Sequence, residues 1–148
     1  MALTKVTSNV LNDDAVTTSK IVNANVTSSK LAAASVTSTK VGTEFTTATA
    51  LTPAATIDVD YTAAQVFTLT PNANTTLNIT NPVIGVTKAI VVTGAGGSYT
   101  VGFTVGGSAG TFNKISGDYD DTSSEKNFIQ ITCVSATEFW YSISQIAT

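Results

Sequence analysis

Residues 66–80 read VFTLTPNANTTLNIT. Apolar and polar residues alternate on both sides of a Pro-Asn-Ala-Asn segment, with Phe67 and Leu69 before it and Leu77 and Ile79 after it. That period of two belongs to strands with one buried face, and Pro and Asn between them mark a turn. The same alternation continues outward. TIDVDY places Ile57, Val59 and Tyr61 on one side, and SYTVGFTV at 98–105 places Tyr99, Val101, Phe103 and Val105 together. KAIVVTG, at 88–94, is a denser apolar run of the kind found at a sheet centre. TFNKI, NFIQITCV and EFWYSISQI complete the series, punctuated by GAGG, GGSAG and the loop SGDYDDTSSEK. About eight short strands separated by turn residues predict an antiparallel β-sandwich of the jelly-roll type over residues 46–148. Its core or subunit contacts are expected to include Tyr99, Val101, Phe103, Ile129, Ile131, Phe139 and Tyr141, and TTATALTPAAT at 46–56 reads as a small-residue linker.

Residues 1–45 follow a different rule. The phrases VTTSK, VTSSK and VTSTK begin at Val16, Val26 and Val36, after a degenerate copy at Val6. In this frame an apolar residue recurs at every fifth position: Val6, Leu11, Val16, Ile21, Val26, Leu31, Val36 and Val41. Neither a helix nor a strand has that period, and the β-branched Thr and Val residues disfavour a helix further. A single-chain solenoid with five-residue sides would place one apolar residue per side inward, but eight such units make few coils. A flexible Thr/Ser-rich linker is another reading, although a spacer has no physical reason to keep a regular apolar row. The preferred expectation is an arm that winds with other copies of itself, each supplying Val16, Ile21, Val26, Leu31, Val36 and Val41 to a shared axis. The whole chain then reads as all-β, with an intertwined trimeric arm at 1–45 and a sandwich at 46–148.

Composition narrows the function classes. Charged residues make up 11% of the 148 residues, far below the usual ~25%. The formal net charge is -3, with no histidine and no arginine, so clustered basic side chains for a nucleic-acid partner are lacking. No apolar run is long enough to span a bilayer, and ALTKVTSNVL after Met1 has no secretory apolar stretch, which predicts a soluble protein made in the cytoplasm without a membrane partner. The single cysteine, Cys133, lies in the strand-like FIQITCV and reads as a small buried hydrophobe.

Candidate chemistry is sparse. Asp118, Asp120, Asp121 and Glu125 in GDYDDTSSE are hard oxygen ligands, but their spacing is not that of a calcium loop and a solvated loop is expected. GAGGSYT precedes a strand rather than a helix, so it reads as a strand-to-strand turn and not a phosphate cradle. Phe139, Trp140 and Tyr141 invite a sugar-platform reading. Alternation sends Phe139, Tyr141 and Ile143 inward and leaves Trp140 on the other face. Without histidine, no nucleophile-and-base constellation emerges, so no enzyme, catalytic residue, metal or cofactor is expected.

VFTLTPNANTTLNITNP, AIVVTGAGGSYTVGF and NFIQITCVSATEFWYSIS together resemble a β-sandwich domain of tailed-bacteriophage virion proteins, including capsid decoration proteins and fibre tips. The likeness covers about residues 55–145, and the VTSxK decapeptides are similar to repeats in phage fibre shafts. The resemblance implies a homotrimer with intertwined arms, located on the virion. It implies a decoration, cement or short head-fibre protein on the capsid surface, with the major capsid protein as partner. A tail-fibre or appendage subunit that binds a host receptor or glycan is the alternative.

Overall fold

The computed structural model describes residues 40–146 continuously, together with 17, 21, 26–27, 31–33 and 35–37. The chain divides into two compact units, Met1–Thr37 and Ser38–Thr148. In the first unit, none of the described residues is in a strand. The second opens with a 3-10 turn at Thr43–Phe45 and continues as nine strands: β1 Ala48–Ala50, β2 Thr56–Asp60, β3 Val66–Leu69, β4 Thr75–Thr80, β5 Thr87–Thr93, β6 Val101–Val105, β7 Thr111–Ser116, β8 Lys126–Cys133 and β9 Glu138–Gln145. All eight segments read as strands from their alternation are strands. β1 lies in the stretch expected to be a linker.

The pairing, however, is parallel, and the fold is a β-solenoid. One sheet has the order β2-β4-β6 and the other β1-β3-β5-β8-β9-β7. The chain alternates between them, so each pair β1–β2, β3–β4 and β5–β6 forms one coil. Thr56 lies beside Thr76 and Thr75 beside Val101 in one sheet; Ala48 lies beside Val66 and Val66 beside Ala89 in the other, all in parallel register. Only β8 runs against its neighbours, wedged as a hairpin strand between β5 and β9, while β7 pairs in parallel with the far side of β9.

This overturns the expected antiparallel sandwich and jelly roll, for a physical reason visible in the opening segment. Thr70–Asn74 does not turn β3 back beside β4; it carries the chain from one sheet to the other. The corner is held by its counterparts in adjacent coils. Thr75 N–H donates to Thr100 O at 2.9 Å and Thr76 N–H to Ala55 O at 2.8 Å. The Thr75 hydroxyl donates to Ala54 O at 3.1 Å, and Asn74 Oδ1 accepts from Thr100 N–H at 3.0 Å. At the opposite corner Tyr61 N–H donates to Thr80 O and Gly106 N–H to Ile79 O. Stacked corners make a coil repeat, whereas a sandwich of hairpins would satisfy these groups within each turn.

The core lies between the sheets, as alternation requires. Ile57, Val59, Leu77, Ile79 and Val105 face Phe67, Leu69, Ile90, Val92, Ile129, Ile131 and Phe139, all buried. Phe103 stacks on Phe112 with ring centroids 5.4 Å apart, and Phe112 on Phe139 at 5.0 Å. β5, the dense apolar strand, is interior to the larger sheet. On the outer side of the smaller sheet, Asp58, Asn78 and Thr104 share one register row. Asn78 Nδ2 donates to Asp58 Oδ1 at 2.6 Å, and Asn78 Oδ1 accepts from the Thr104 hydroxyl at 3.1 Å and from Gly107 N–H at 2.8 Å.

Candidate functional site

The assembly residues expected from the repeat fall partly in each unit. Val16 lies outside the described residues. Ile21, Val26, Leu31 and Val36 each sit at a backbone bend and are between 44% and 62% exposed. The bends recur every fifth residue, at the same positions as the apolar side chains, and Val41 in the second unit continues the pattern of bend and exposure. A small local turn is closed by Ser35 N–H donating to Ala32 O at 3.0 Å. The row therefore presents aliphatic groups at fixed intervals without burying them among the described residues.

The second unit carries its own exposed apolar groups. Phe45, Val83, Ile84 and Val134 are exposed, and the turn holding Val83 and Ile84 is fixed to β8 by Gly85 N–H donating to Cys133 O at 2.8 Å. Phe45, Val83 and Val86 line an apolar pocket of about 180 Å³ with Tyr61, Thr62, Glu44 and Lys88. Lys88 is only 2% exposed, because it shares the inward parity of Ile90 and Val92 along β5. Its ammonium donates to Gln65 Oε1 at 3.2 Å and lies 5.9 Å from the centroid of the Tyr61 ring. Burial lowers its pKa, against the opposing pull of Glu44 and Asp60.

The GAGG turn and the acidic loop meet. Asp121 Oδ1 accepts from Ala95 N–H at 3.0 Å and from the Tyr119 hydroxyl at 2.7 Å, and Oδ2 accepts from Tyr99 N–H at 2.8 Å. Burial pushes the Asp121 carboxyl upward, but these donors outweigh it and hold the pKa below the ordinary carboxylate value. Backbone bonds from Gly96 N–H to Asp121 O, Gly94 N–H to Glu125 O and Ser124 N–H to Gly94 O tie the two loops together. The approach at Gly94 is so close that a Cβ there would fall into the Thr122 carbonyl. Asn127, wholly buried on β8, anchors the loop from below: its Nδ2 donates to Asp120 O at 2.7 Å and its Oδ1 accepts from Asp120 N–H at 2.8 Å. Between the loops lies a cleft of about 550 Å³ lined by Ser98, Tyr99, Tyr119, Asp120, Asp121, Thr122 and Ser123.

The acidic residues thus divide. Asp118 pairs with Lys114 at 2.5 Å on the exposed side, while Asp121 is a structural acceptor rather than a member of a solvated loop. Among the described residues, no group of three acidic, cysteine or histidine side chains is arranged to hold a metal ion. Tyr99 lies in the loop before β6 and lines the cleft instead of extending that strand's inner face. Trp140 is exposed with its indole N–H donating to Glu138 Oε1 at 2.9 Å, while Tyr141 packs inward on Phe103, so the two aromatic side chains lie on opposite faces. Cys133 is buried, and burial raises its thiol pKa. Among the described residues no helix is long and apolar enough to cross a membrane.

No protein-family model, curated protein or solved structure matches the chain.

Proposed function

We propose that the protein is a structural subunit of a virion, a homotrimeric capsid decoration or cement protein or a short head fibre, with the major capsid protein as its partner. The observation that carries the reading is the row of exposed apolar residues Ile21, Val26, Leu31 and Val36, one at each five-residue bend. Such a row has too few apolar groups per chain to make a core, yet three copies around one axis would supply three times as many. A trimer across a joint between capsomers adds equivalent contacts from three sides, and avidity can exceed single-site affinity by about 10²–10⁴. Few charges favour adhesion through Val, Ala and Thr side chains and backbone hydrogen bonds, so attachment is expected to depend little on salt.

The experiment has two stages. Light scattering on the intact chain should give three times the monomer mass, and Ile21→Asp with Leu31→Asp should reduce it while leaving the far-UV spectrum of the second unit intact. A stable monomer for the parent chain rules the reading out. The intact protein is then added to undecorated expanded capsids at low and high salt. Failure to bind there, combined with attachment to host cells, would replace the decoration role by that of a tail-fibre or appendage subunit that binds a surface receptor or glycan.

A further inference from the structure

We propose that the cleft between the 94–99 turn and the 117–125 loop binds a neutral saccharide, an inference independent of the assembly reading. At about 550 Å³ the cleft is within the size range of small-ligand sites, ~300–1,000 Å³. Its lining includes two tyrosines, amphipathic side chains that suit a sugar, together with hydroxyls and a carboxylate that address its O–H groups.

The available hydrogen-bonding groups set the ligand class. Among the described residues, no partner within the chain satisfies the hydroxyls of Ser98, Tyr99 and Ser123. Each of these can both donate and accept. Asp120 accepts from Thr122 N–H through Oδ1 at 2.8 Å and interacts with the Thr122 side chain, and as an exposed carboxylate it has further acceptor capacity for a ligand donor. The Tyr119 hydroxyl spends its proton on Asp121 and retains its oxygen as an acceptor. An anionic ligand would meet the carboxylates of Asp120 and Asp121 with no lysine in the lining to offset them. A quaternary ammonium would use the rings and Asp120 but leave the three hydroxyl protons without acceptors. A polyol supplies donors and acceptors at once.

The cleft is also held in shape before any ligand arrives. Three donors on Asp121 and the backbone bonds between Gly94, Gly96, Ser124 and Glu125 fix one wall against the other. The Tyr99 ring lies against Gly97, where any Cβ would overlap it. Ser98 and Ser124 hold φ values of 59° and 72°, a left-handed conformation that non-glycine residues keep only where the surroundings enforce it. A rigid cleft loses little entropy on binding a small ligand.

The test is saturation-transfer NMR on the intact protein with glucose, galactose, mannose and N-acetylglucosamine at millimolar concentration. Tetramethylammonium chloride and sodium phosphate are run as separate arms. At least one sugar is expected to receive saturation and to shift the amide signals of residues 96–99 and 119–123. Asp120→Asn keeps an acceptor for Thr122 N–H and Tyr99→Phe keeps the ring, so both preserve the loops. They should weaken that sugar by about tenfold and about fivefold respectively, while Trp140→Ala leaves it unchanged. The proposal is overturned if no sugar binds, if Asp120→Asn and Tyr99→Phe bind as the parent does, or if only tetramethylammonium or phosphate perturbs those signals.

Discussion

Replacing Asn78 by alanine probes the parallel stacking of the coils where one side chain spans all three strands of the smaller sheet. Asn78 is 7% exposed and holds Asp58 on one side and Thr104 and Gly107 on the other. Truncation leaves Gly107 N–H without its side-chain acceptor; Gly107 is exposed, so water replaces part of that bond and the loss is about 0.5–1.5 kcal/mol. The bond to Asp58 is charge-assisted, but that carboxylate is exposed and water replaces much of the contact, so it adds about 0.5 kcal/mol; the Thr104 bond adds a similar amount. The expected total is about 1.5–2.5 kcal/mol. At about 4–8 °C per kcal/mol for a domain of this size, the melting temperature should fall by about 6–20 °C.

Urea titration followed by circular dichroism measures the loss, and an unchanged m-value shows that the folded state has not expanded. The double variant Asp58→Ala, Asn78→Ala should give a coupling of about 0.5–1 kcal/mol, because the two residues are direct register partners. Asn78→Asp keeps an acceptor for Gly107 but sets a second carboxylate against Asp58, so its deficit should be larger at neutral pH than in acid. A loss below about 0.5 kcal/mol for Asn78→Ala, or zero coupling in the cycle, would refute the parallel register.

Acid sensitivity should trace in part to Asp121. Its folded-state pKa lies below the unfolded value of 3.8, so the stabilisation is present above 3.8 and lost as pH falls through the folded-state pKa; Asp121→Asn should flatten that part of the urea-midpoint profile. Lys88 gives a slope of the same sign at the alkaline end, but there the charged form is the one that folding disfavours. Its folded-state pKa is lowered from 10.5, so stability should rise with pH between the folded value and 10.5, and Lys88→Met should abolish that rise, raise the urea midpoint at neutral pH and add about 1 kcal/mol to the unfolding free energy. A midpoint that falls for Lys88→Met would show that Gln65 and the Tyr61 ring more than offset the cost of burying the ammonium.

Which residues face inward was legible in the sequence, because alternation depends only on the strand itself. Phe67, Leu69, Leu77, Ile79, Ile129, Ile131 and Phe139 are buried where the period of two places them, and Trp140 is exposed by the same rule. The partner of each strand was not legible. Alternation is identical in a hairpin and in a coil, and the Pro71–Asn74 segment resembles a hairpin turn until Thr100 and Ala54 are known to lie beside it. β1 carries no such signal, because Ala48–Ala50 has no large apolar residue and is ordered through its pairing with β3. The role of Asp121 has no signal in its own segment, since its backbone donors, Ala95 and Tyr99, are distant in sequence. Lys88 did carry a signal: it shares the parity of Ile90 and Val92, and strand parity outweighed charge.

The edges of the two sheets bear on how copies of this chain can meet. Parallel coils could in principle add further strands at each end, so an isolated solenoid is stable as a discrete body only if its edges resist pairing. Each edge here is blunted differently. β1 is three residues long; β2 carries Asp58 and Asp60; β7 carries Lys114 and a register shift between Lys114 and Ser116. β6 folds back at its end, where Val105 and Ser108 exchange both backbone bonds. Strand addition between copies is therefore disfavoured on every side. The proposed trimer would then use side-chain surfaces, such as the exposed Ile21, Val26, Leu31 and Val36, which recur every fifth residue. Side-chain packing around an axis closes once the axis is filled, whereas edge pairing has no natural stop. For the proposed trimer this argues for a small closed oligomer over an open fibre, and the light-scattering experiment distinguishes the two.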